Sequence, residues 1–300
     1  MAIAPKHNRA EIIELLVDHI NKKLPKEEAP LVRDFVRRYY LNTSPEDLAS
    51  RSILDLYNAF LSHWNFVSNR KAGEPKVQVF NPHIETHGWQ STHTVIEIVY
   101  DDMPFLIDSI SIALNRRNSN IHLILHVGDI CFKRDEEGRV EELIVDDKQR
   151  EELPKEVAIY IEIDKQSDKT ILNEIVEELK QVLTGVRTVV QDWRQMKDNA
   201  LESIKNLEQT NAKVEEVELR ESIAFIKWLA EDHFTFLGYQ EYDLVEKEGE
   251  IYYQLIEKSR LGASKNIDQD QEFSLSSLQE EARELYLAKQ LLLVGKTNIR

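Results

Sequence analysis

A single cysteine, Cys131, stands in 300 residues, so no internal disulfide can form and a reducing compartment is expected. Glycine is nearly as scarce. The nine glycines fall at 73, 88, 128, 138, 185, 238, 249, 262 and 295, never closer than ten residues apart. No Gly-x-Gly exists, so neither a dinucleotide fingerprint nor a phosphate-cradling loop can be built from these residues. Positive charge is also in deficit. There are 38 Lys and Arg against 54 Asp and Glu, a net charge of −16 that repels nucleic acid and anionic membrane surfaces. No apolar run approaches membrane-spanning length, and the opening MAIAPKHNRAEIIELL meets acidic residues before any long apolar stretch. Neither an anchor nor a signal peptide is expected. These deficits predict a soluble, cytoplasmic chain that carries no nucleotide site of its own.

The remaining composition, 42% hydrophobic and 31% charged, is enough for two or three domains with proper cores. Residues 10–23 and 29–41 carry apolar stripes at helical spacing. Ser44-Pro45-Glu46-Asp47 opens a third, long helix running to Val67, with an N-cap, an N1 proline and an acidic first turn. Three such helices can bury a small core of their own. The polar stretch Ser68–Glu74 marks a boundary, which gives an N-terminal helical region over 1–74.

The middle of the chain is organised around His93–Val127. Thr94, Ile96, Ile98 and Tyr100 share one face of a strand. Asp101 and Asp102 supply N-cap carboxylates to a helix with an apolar stripe at Met103, Ile107, Ile110 and Leu114, widened by Leu106 and Ala113. Asn118-Ser119-Asn120 turns the chain into a second strand, where Ile121, Leu123, Leu125 and Val127 alternate. Strand, helix and strand this close together form the first half of a ferredoxin-like α+β sandwich. Val77–Phe80 is a short leading strand, and a hairpin turns at Asp135–Gly138. Residues 157–164 alternate Val157, Ile159, Ile161 and Ile163 with Ala158, Tyr160, Glu162 and Asp164, one buried and one solvated face. A helix over 167–183 then leaves one strand wanting. Val186–Val190 supplies it by propensity and continues the helix by periodicity, and the residues leave both readings open. Further on come a helical linker at 193–232 with a break near 209–212, a hairpin across Glu248-Gly249-Glu250, and a last helix near 275–289. The fold class is α+β, with an ACT-like unit over 75–192 and a second α+β region beginning at 233.

Asp102-Met103-Pro104-Phe105-Leu106 resembles the Asp-Arg-Pro-Gly-Leu turn of ACT domains, and Asn120-Ile121 looks like that family's entry to its second strand. The longer string HGWQSTHTVIEIVYDDMPFLIDS, His87–Ser109, resembles the N-terminal ACT region of the large, single-chain NAD-specific glutamate dehydrogenases. AEDHFTFLGY, Ala230–Tyr239, is similar to a second landmark of that family. The resemblance implies a parent enzyme that oxidises L-glutamate with NAD, with the catalytic region downstream in the same chain. This segment would bind no cofactor and would serve homo-oligomer assembly and allosteric control. It also implies an amino-acid effector site at the turn, formed by Asp101, Asp102, Met103, Phe105, Asn120 and His122. Backbone amides at a helix start can hold a carboxylate, and an aspartate can hold an ammonium. Phe105 departs from the pattern, because it stands where the turn's glycine would let a ligand approach. That favours packing and assembly over ligand capture.

Other groups give weaker signals. His83, His87 and His93 lie among loop residues with no cysteine near, and His122 and His126 are too far apart along a strand to share a metal. No metal site is expected. Asp232-His233, followed by Phe234, Phe236 and Tyr239, reads as strand core rather than a catalytic dyad, and Cys131 as a strand residue. A free-standing ACT-type sensor or adaptor is the competing function.

Overall fold

The computed structural model describes residues 8–209, 215–267, 271–280, 283–284 and 291–295. It divides into two compact units, Met1–Thr184 and Gly185–Arg300.

The first unit opens with four helices. In α1 (Arg9–Lys23), Asn8 and Glu11 form a capping box, and Ile12, Ile13, Leu16, Val17 and Ile20 are buried. Next is α2 (Ala29–Tyr39). The long third helix expected from Ser44 is two. Ser44 caps the short α3 (Pro45–Ala49), the Ser50 hydroxyl bonds back to the Asp47 carbonyl, and Ser52 starts a new helix, α4 (Ile53–Val67). A second N-cap residue several positions after the first restarts the helix where apolar periodicity alone would run straight through.

The sheet comes next: β1 (Lys76–Phe80), a one-turn helix α5 (Ile84–His87), β2 (Thr94–Asp101), α6 (Leu106–Arg116) and β3 (Ile121–Ile130). A hairpin of β4 (Phe132–Arg134) and β5 (Val140–Leu143) is then inserted, before α7 (Asp147–Arg150), β6 (Glu156–Ile163) and α8 (Lys169–Gln209). The strands lie in the order β1-β2-β6-β3, every neighbour antiparallel. β2, α6 and β3 thus form a split unit with β6 between the two strands. Residues 186–190 are helical, inside α8, and the outer position beside β2 is held by β1. The strand order therefore does not end in a strand after the second helix, as the sequence order had it. The leading strand closes the sheet instead.

Alternation along β6 is real, but its second face is not solvated: all eight residues are buried. Register shows why. On one face lie Gln78 and Phe80, Val95, Glu97 and Val99, Ala158, Tyr160 and Glu162, and Leu123, Leu125 and Val127. That face packs into one continuous core with Leu16, Val32, Phe35, Phe60 and Trp64 of the helices. Helices α1, α2 and α4 therefore share their core with the sheet, and no division falls at 68–74. On the other face Ile96, Ile98, Ile159, Ile161 and Ile163 of the two central strands are buried as well, while His126 of β3 is exposed; α6 buries Ile110 and Leu114.

Burying both faces traps carboxylates, and each has found partners. Glu162 takes two hydrogen bonds from Arg51, both 2.7 Å, and one from the Tyr160 hydroxyl at 2.8 Å. Glu156 is gripped by Arg134 at 2.7 and 2.9 Å and by the buried Arg70 at 3.1 Å. Glu97 is the poorest provided. It is 0% exposed and, among the described residues, accepts only from neutral groups, Ser62 at 3.3 Å and Gln78. At the hairpin, Gly138 has φ +86°, and a Cβ there would lie 2.4 Å from the Arg70 carbonyl oxygen, so a side chain fits in neither conformation nor space.

The second unit contains the C-terminal part of α8, then α9 (Glu216–Trp228), a π-helical turn at Leu229–His233, and β7 (Gly238–Tyr239). The hairpin across Glu248-Gly249 is formed by β8 (Tyr242–Lys247) and β9 (Glu250–Leu255), with both turn residues at positive φ. β10 (Leu261–Gly262) pairs with β7, and β11 (Glu272–Ser274) with β9. Phe234 is exposed rather than strand core, since strand pairing starts only at Gly238. The break expected near 209–212 falls largely on 210–214, outside the described residues. Of the helix expected over 275–289, Leu275–Ser277 is a single 3-10 turn, and 281–282 and 285–289 lie outside the described residues. No described helix is long and apolar enough to cross a membrane.

Burial pushes the Glu97 carboxyl up to about 7, its two neutral donors offsetting only part of that. With the folded value above the unfolded one, the native state holds a proton that the unfolded chain has lost. Stability therefore falls as pH rises from about 4.5 to about 7, and the full penalty stands above that. Glu97→Gln is expected to raise stability at pH 8 by up to about 3 kcal/mol and to flatten this slope, as read by urea melts across that range.

Candidate functional site

The turn between β2 and α6 carries four of the six residues that sequence pattern nominates. Asp101 ends β2 with its carboxylate on the Arg70 guanidinium, and Arg70 is held in turn by the Glu74 carbonyl at 3.2 Å. The Asp102 backbone N–H donates to the Lys155 carbonyl at 2.8 Å, and its Oδ2 accepts from the Asp129 N–H at 2.6 Å. Asp129 sits in a bulge of β3, at φ +54°, with Arg150 and Lys155 on its carboxylate. Their hydrogen bonds and charge, Lys155 foremost, hold that carboxyl below the usual range.

Neither aspartate caps α6. The N-cap residue is Phe105, in the left-handed conformation at φ 70°, with no side-chain cap hydrogen bond. Met103 lies in the turn ahead of the helix, whose buried face is Leu106, Ile110, Ala113 and Leu114. The expected capping failed for a geometric reason. Three residues of turn separate Asp102 from the first helical residue, and partners on β3 and just ahead of β6 claim its polar groups first. Phe105 thus takes the backbone shape that glycine takes most cheaply, and its ring, 46% exposed, stands out from the turn.

The other two nominated residues lie at the opposite end of the sheet. β2 leaves where β3 does not begin: Asp101 pairs with Glu156, and Ile121 with Ile163. Seven residues of strand separate Thr94 from Asp101, about 23 Å at ~3.3 Å per residue. Within one chain the turn and the Asn120–His122 entry therefore cannot close on one small ligand. Asn120 and His122 meet Asp164 instead. The Asn120 Nδ2 donates to its Oδ2 at 2.7 Å, the Asn120 N–H at 3.1 Å, and His122 Nε2 lies 2.7 Å from its Oδ1. His122 is first among the causes that hold the Asp164 carboxyl below its ordinary range.

His93 joins this end. Its ring centroid is 4.3 Å from that of His122, and its Nδ1 is 3.5 Å from Glu162 Oε2. Burial works to raise the Glu162 carboxyl, but the Arg51 guanidinium outweighs it and keeps the carboxyl low. His93, His122, Glu162, Asp164 and Arg51 are thus one polar cluster, drawn from separate stretches of the chain. Sequence reading missed Arg51, Glu162 and Asp164 as members. The available signal was a pair of acids in an otherwise apolar strand. Among the described residues no group of three or more His, Cys, Asp or Glu could hold a metal. Asp232 and His233 form no dyad: Asp232 pairs with Lys197 at 3.1 Å, and the His233 ring stacks on Trp228. Cys131 is fully buried.

Comparison with known proteins converges on the same region. The family model of the glutamate dehydrogenase ACT1 domain matches residues 35–179, from within α2 to within α8, so the match takes in helices and sheet together. The chain is similar to the NAD-specific glutamate dehydrogenase of Halomonas elongata, 39% identical over 261 residues, or 87% of this chain. It is similar also to that of Pseudomonas aeruginosa, 33% identical over 267 residues, or 88%. In both cases the chain spans only 16% of the relative's length.

Relief of the left-handed strain should exceed what the half-exposed ring contributes. Phe105→Gly is expected to stabilise the fold by about 0.5–1 kcal/mol, the left-handed penalty less the glycine entropy. The midpoint of urea unfolding at unchanged slope measures it, and a fall in the midpoint would show the ring to be structurally required.

Proposed function

The chain belongs to the family of the large NAD-specific glutamate dehydrogenases, and from that premise we propose that these residues are its non-catalytic, N-terminal assembly and regulatory segment. The parent would oxidise L-glutamate with NAD and water to 2-oxoglutarate, ammonia and NADH, through a catalytic region outside these residues. One observation carries the reading. The chain spans 16% of its relatives' length, and what it contains is a four-stranded antiparallel sheet within the span matched by the ACT1 model, with no glycine pair for a dinucleotide. The sheet would be an ACT unit in which the leading strand, β1, takes the place of the usual last one. Its split β2-α6-β3 half and the position of the turn support that equivalence.

Residues Asp101, Asp102, Met103 and Phe105 would act in packing and assembly more than in amino-acid capture. Both carboxylates already have partners inside the fold, and an exposed phenyl ring fills the approach. An effector bound by this turn together with Asn120 and His122 would have to lie between two copies, so that reading also requires a homo-oligomer. A free-standing sensor is the second reading, and a single measurement separates the two. An immunoblot of a cell extract, with antibody raised against these residues, is expected to show a band several times heavier than 35.1 kDa. A band at 35.1 kDa would overturn the dehydrogenase segment and leave the sensor. Calorimetry of the chain with L-glutamate, L-serine and L-leucine then tests the turn. Binding that is lost in Asp102→Ala, with the fold intact by circular dichroism, would overturn the packing role.

A further inference from the structure

Glu97 and Lys76 share one face of neighbouring strands. Gln78 pairs with Glu97 and Lys76 with Val99, so Lys76 stands two residues along β1 from the position opposite Glu97. The two groups are provided for very differently. Glu97 is fully buried between α4 and the sheet, with the Ser62 hydroxyl and the Gln78 amide as donors. Lys76 is engaged elsewhere. Its ammonium donates to the carbonyls of Phe66 and Asn69, both at 2.6 Å, and lies 4.3 Å from the centre of the Phe66 ring. Phe66 belongs to the last turn of α4, where carbonyls have no partner within the helix. Lys76 therefore ties the end of α4 to the edge strand.

This arrangement suits one protonation state of Glu97. A neutral carboxyl is content with two donors, whereas a buried carboxylate needs a cation. The elements packed around it offer few. Opposite Glu97 on β6 is Tyr160, its hydroxyl given to Glu162. From α2 comes Tyr39 and from α4 His63, hydrogen-bonded to each other at 2.8 Å. Burial pushes both tyrosines well above the usual range and the His63 imidazole down to about 3, so none of the three is charged near neutral pH. Arg51 is spent on Glu162, and Arg70 and Arg134 on Glu156. Among the described residues Lys76 is the cation whose charge acts on Glu97, and Glu97 acts on Lys76 in return.

We propose that Glu97 and Lys76 form a proton-linked switch at the joint between α4 and the sheet. With Glu97 protonated, Lys76 ties down the end of α4. When the proton leaves to solvent, Lys76 turns to the carboxylate and releases the Phe66 and Asn69 carbonyls. The carboxyl titrates at about 7, so the tied state lies below that pH and the released state above it. The released segment also holds the inserted hairpin, since the Arg70 N–H donates to the Gly138 carbonyl and the Val140 N–H to the Ser68 carbonyl, both at 2.9 Å. Loosening therefore passes to the hairpin. The switch belongs to the first unit alone and stands whether or not the chain is an assembly segment.

The 300-residue chain, labelled with carbon-13 at glutamate side-chain carboxyls, reads the proton. Glu97→Gln identifies the Glu97 signal by its loss, and in the unmodified chain that signal is expected to titrate at about pH 7. Lys76→Met keeps the apolar stem and removes the charge, and should raise the midpoint by about half a unit or more. Hydrogen exchange reads the release. At about pH 8 the Arg70 N–H should exchange about fivefold or more faster in the unmodified chain than in Glu97→Gln, a larger factor than at Ile161 in β6, and at about pH 5.5 the two should match. The proposal is overturned if Glu97 titrates as an exposed glutamate does, or if Lys76→Met leaves its midpoint in place. It is overturned equally if Arg70 and Ile161 respond by one factor, which would be general loosening. Should Lys76→Met fail to fold, the exchange comparison with Glu97→Gln decides alone.

Discussion

The constraint on which the first unit depends is that its two central strands, β2 and β6, have no wet face. Once α1, α2 and α4 lie across β2, β6 and β3, every polar side chain on that side must be satisfied within the protein or go neutral. Register puts four acids on it: Glu97 and Asp101 of β2, Glu156 and Glu162 of β6. The answering cations come from outside the four strands, from the joins after α3 and α4 and from the inserted hairpin. Arg51 lies between α3 and α4, Arg70 between α4 and β1, and Arg134 in the inserted hairpin. Each pair therefore ties a connection to a strand. A buried ion pair adds little net stability against an apolar one, but breaking it is costly, so such pairs act chiefly to hold one arrangement against others. Here they fix where the helical layer sits on the sheet. That accounts for a family match that spans α2 to α8 without respecting the polar stretch at 68–74.

That constraint also marks the limit of what could be read from sequence. Period-2 alternation in 157–164 is plain, and it gives the strand, its direction of facing and its apolar residues. It cannot tell whether the polar face is wet, because that depends on residues as distant as Arg51, whose pairing with Glu162 spans 111 positions. The central strand–helix–strand unit, both hairpins and the helical layer were legible because each is a local pattern. Val186–Val190 was undecidable locally. Branched side chains favour strand and the spacing favours helix, and the choice was made elsewhere: β1 already occupied the free edge of β2, so no strand was needed. With that edge filled, burying Leu183, Val186 and Met196 along one helix was the remaining way to cover them.

The turn shows a subtler failure. Asp-Asp before a proline and a helical stripe is a sound N-cap pattern, and Asp101 and Asp102 were expected to cap α6. The structure gives both carboxylates to neighbours brought in by the sheet, Arg70 and the Asp129 amide. Phe105 then enters the helix at positive φ with nothing to cap it. A local rule lost to two non-local bonds, and the strain that resulted sits at the one residue where the family's turn has glycine.

The two ends of the sheet answer the same electrostatic demand with different remainders. At the Asp101 end the acids Asp101, Asp129 and Glu156 face Arg70, Arg134, Arg150 and Lys155, and every one of those cations has a carboxylate partner inside the fold. Charge there is closed, and the turn that resembles a ligand-binding motif has little left with which to hold a ligand. At the His93 end Glu162 takes Arg51 and Asp164 takes His122, while Lys165 and the Trp89 N–H remain over. A sequence motif reports the backbone shape of a turn, and in this chain the shape persists, with Phe105 in the left-handed conformation, after its charges have been put to structural use.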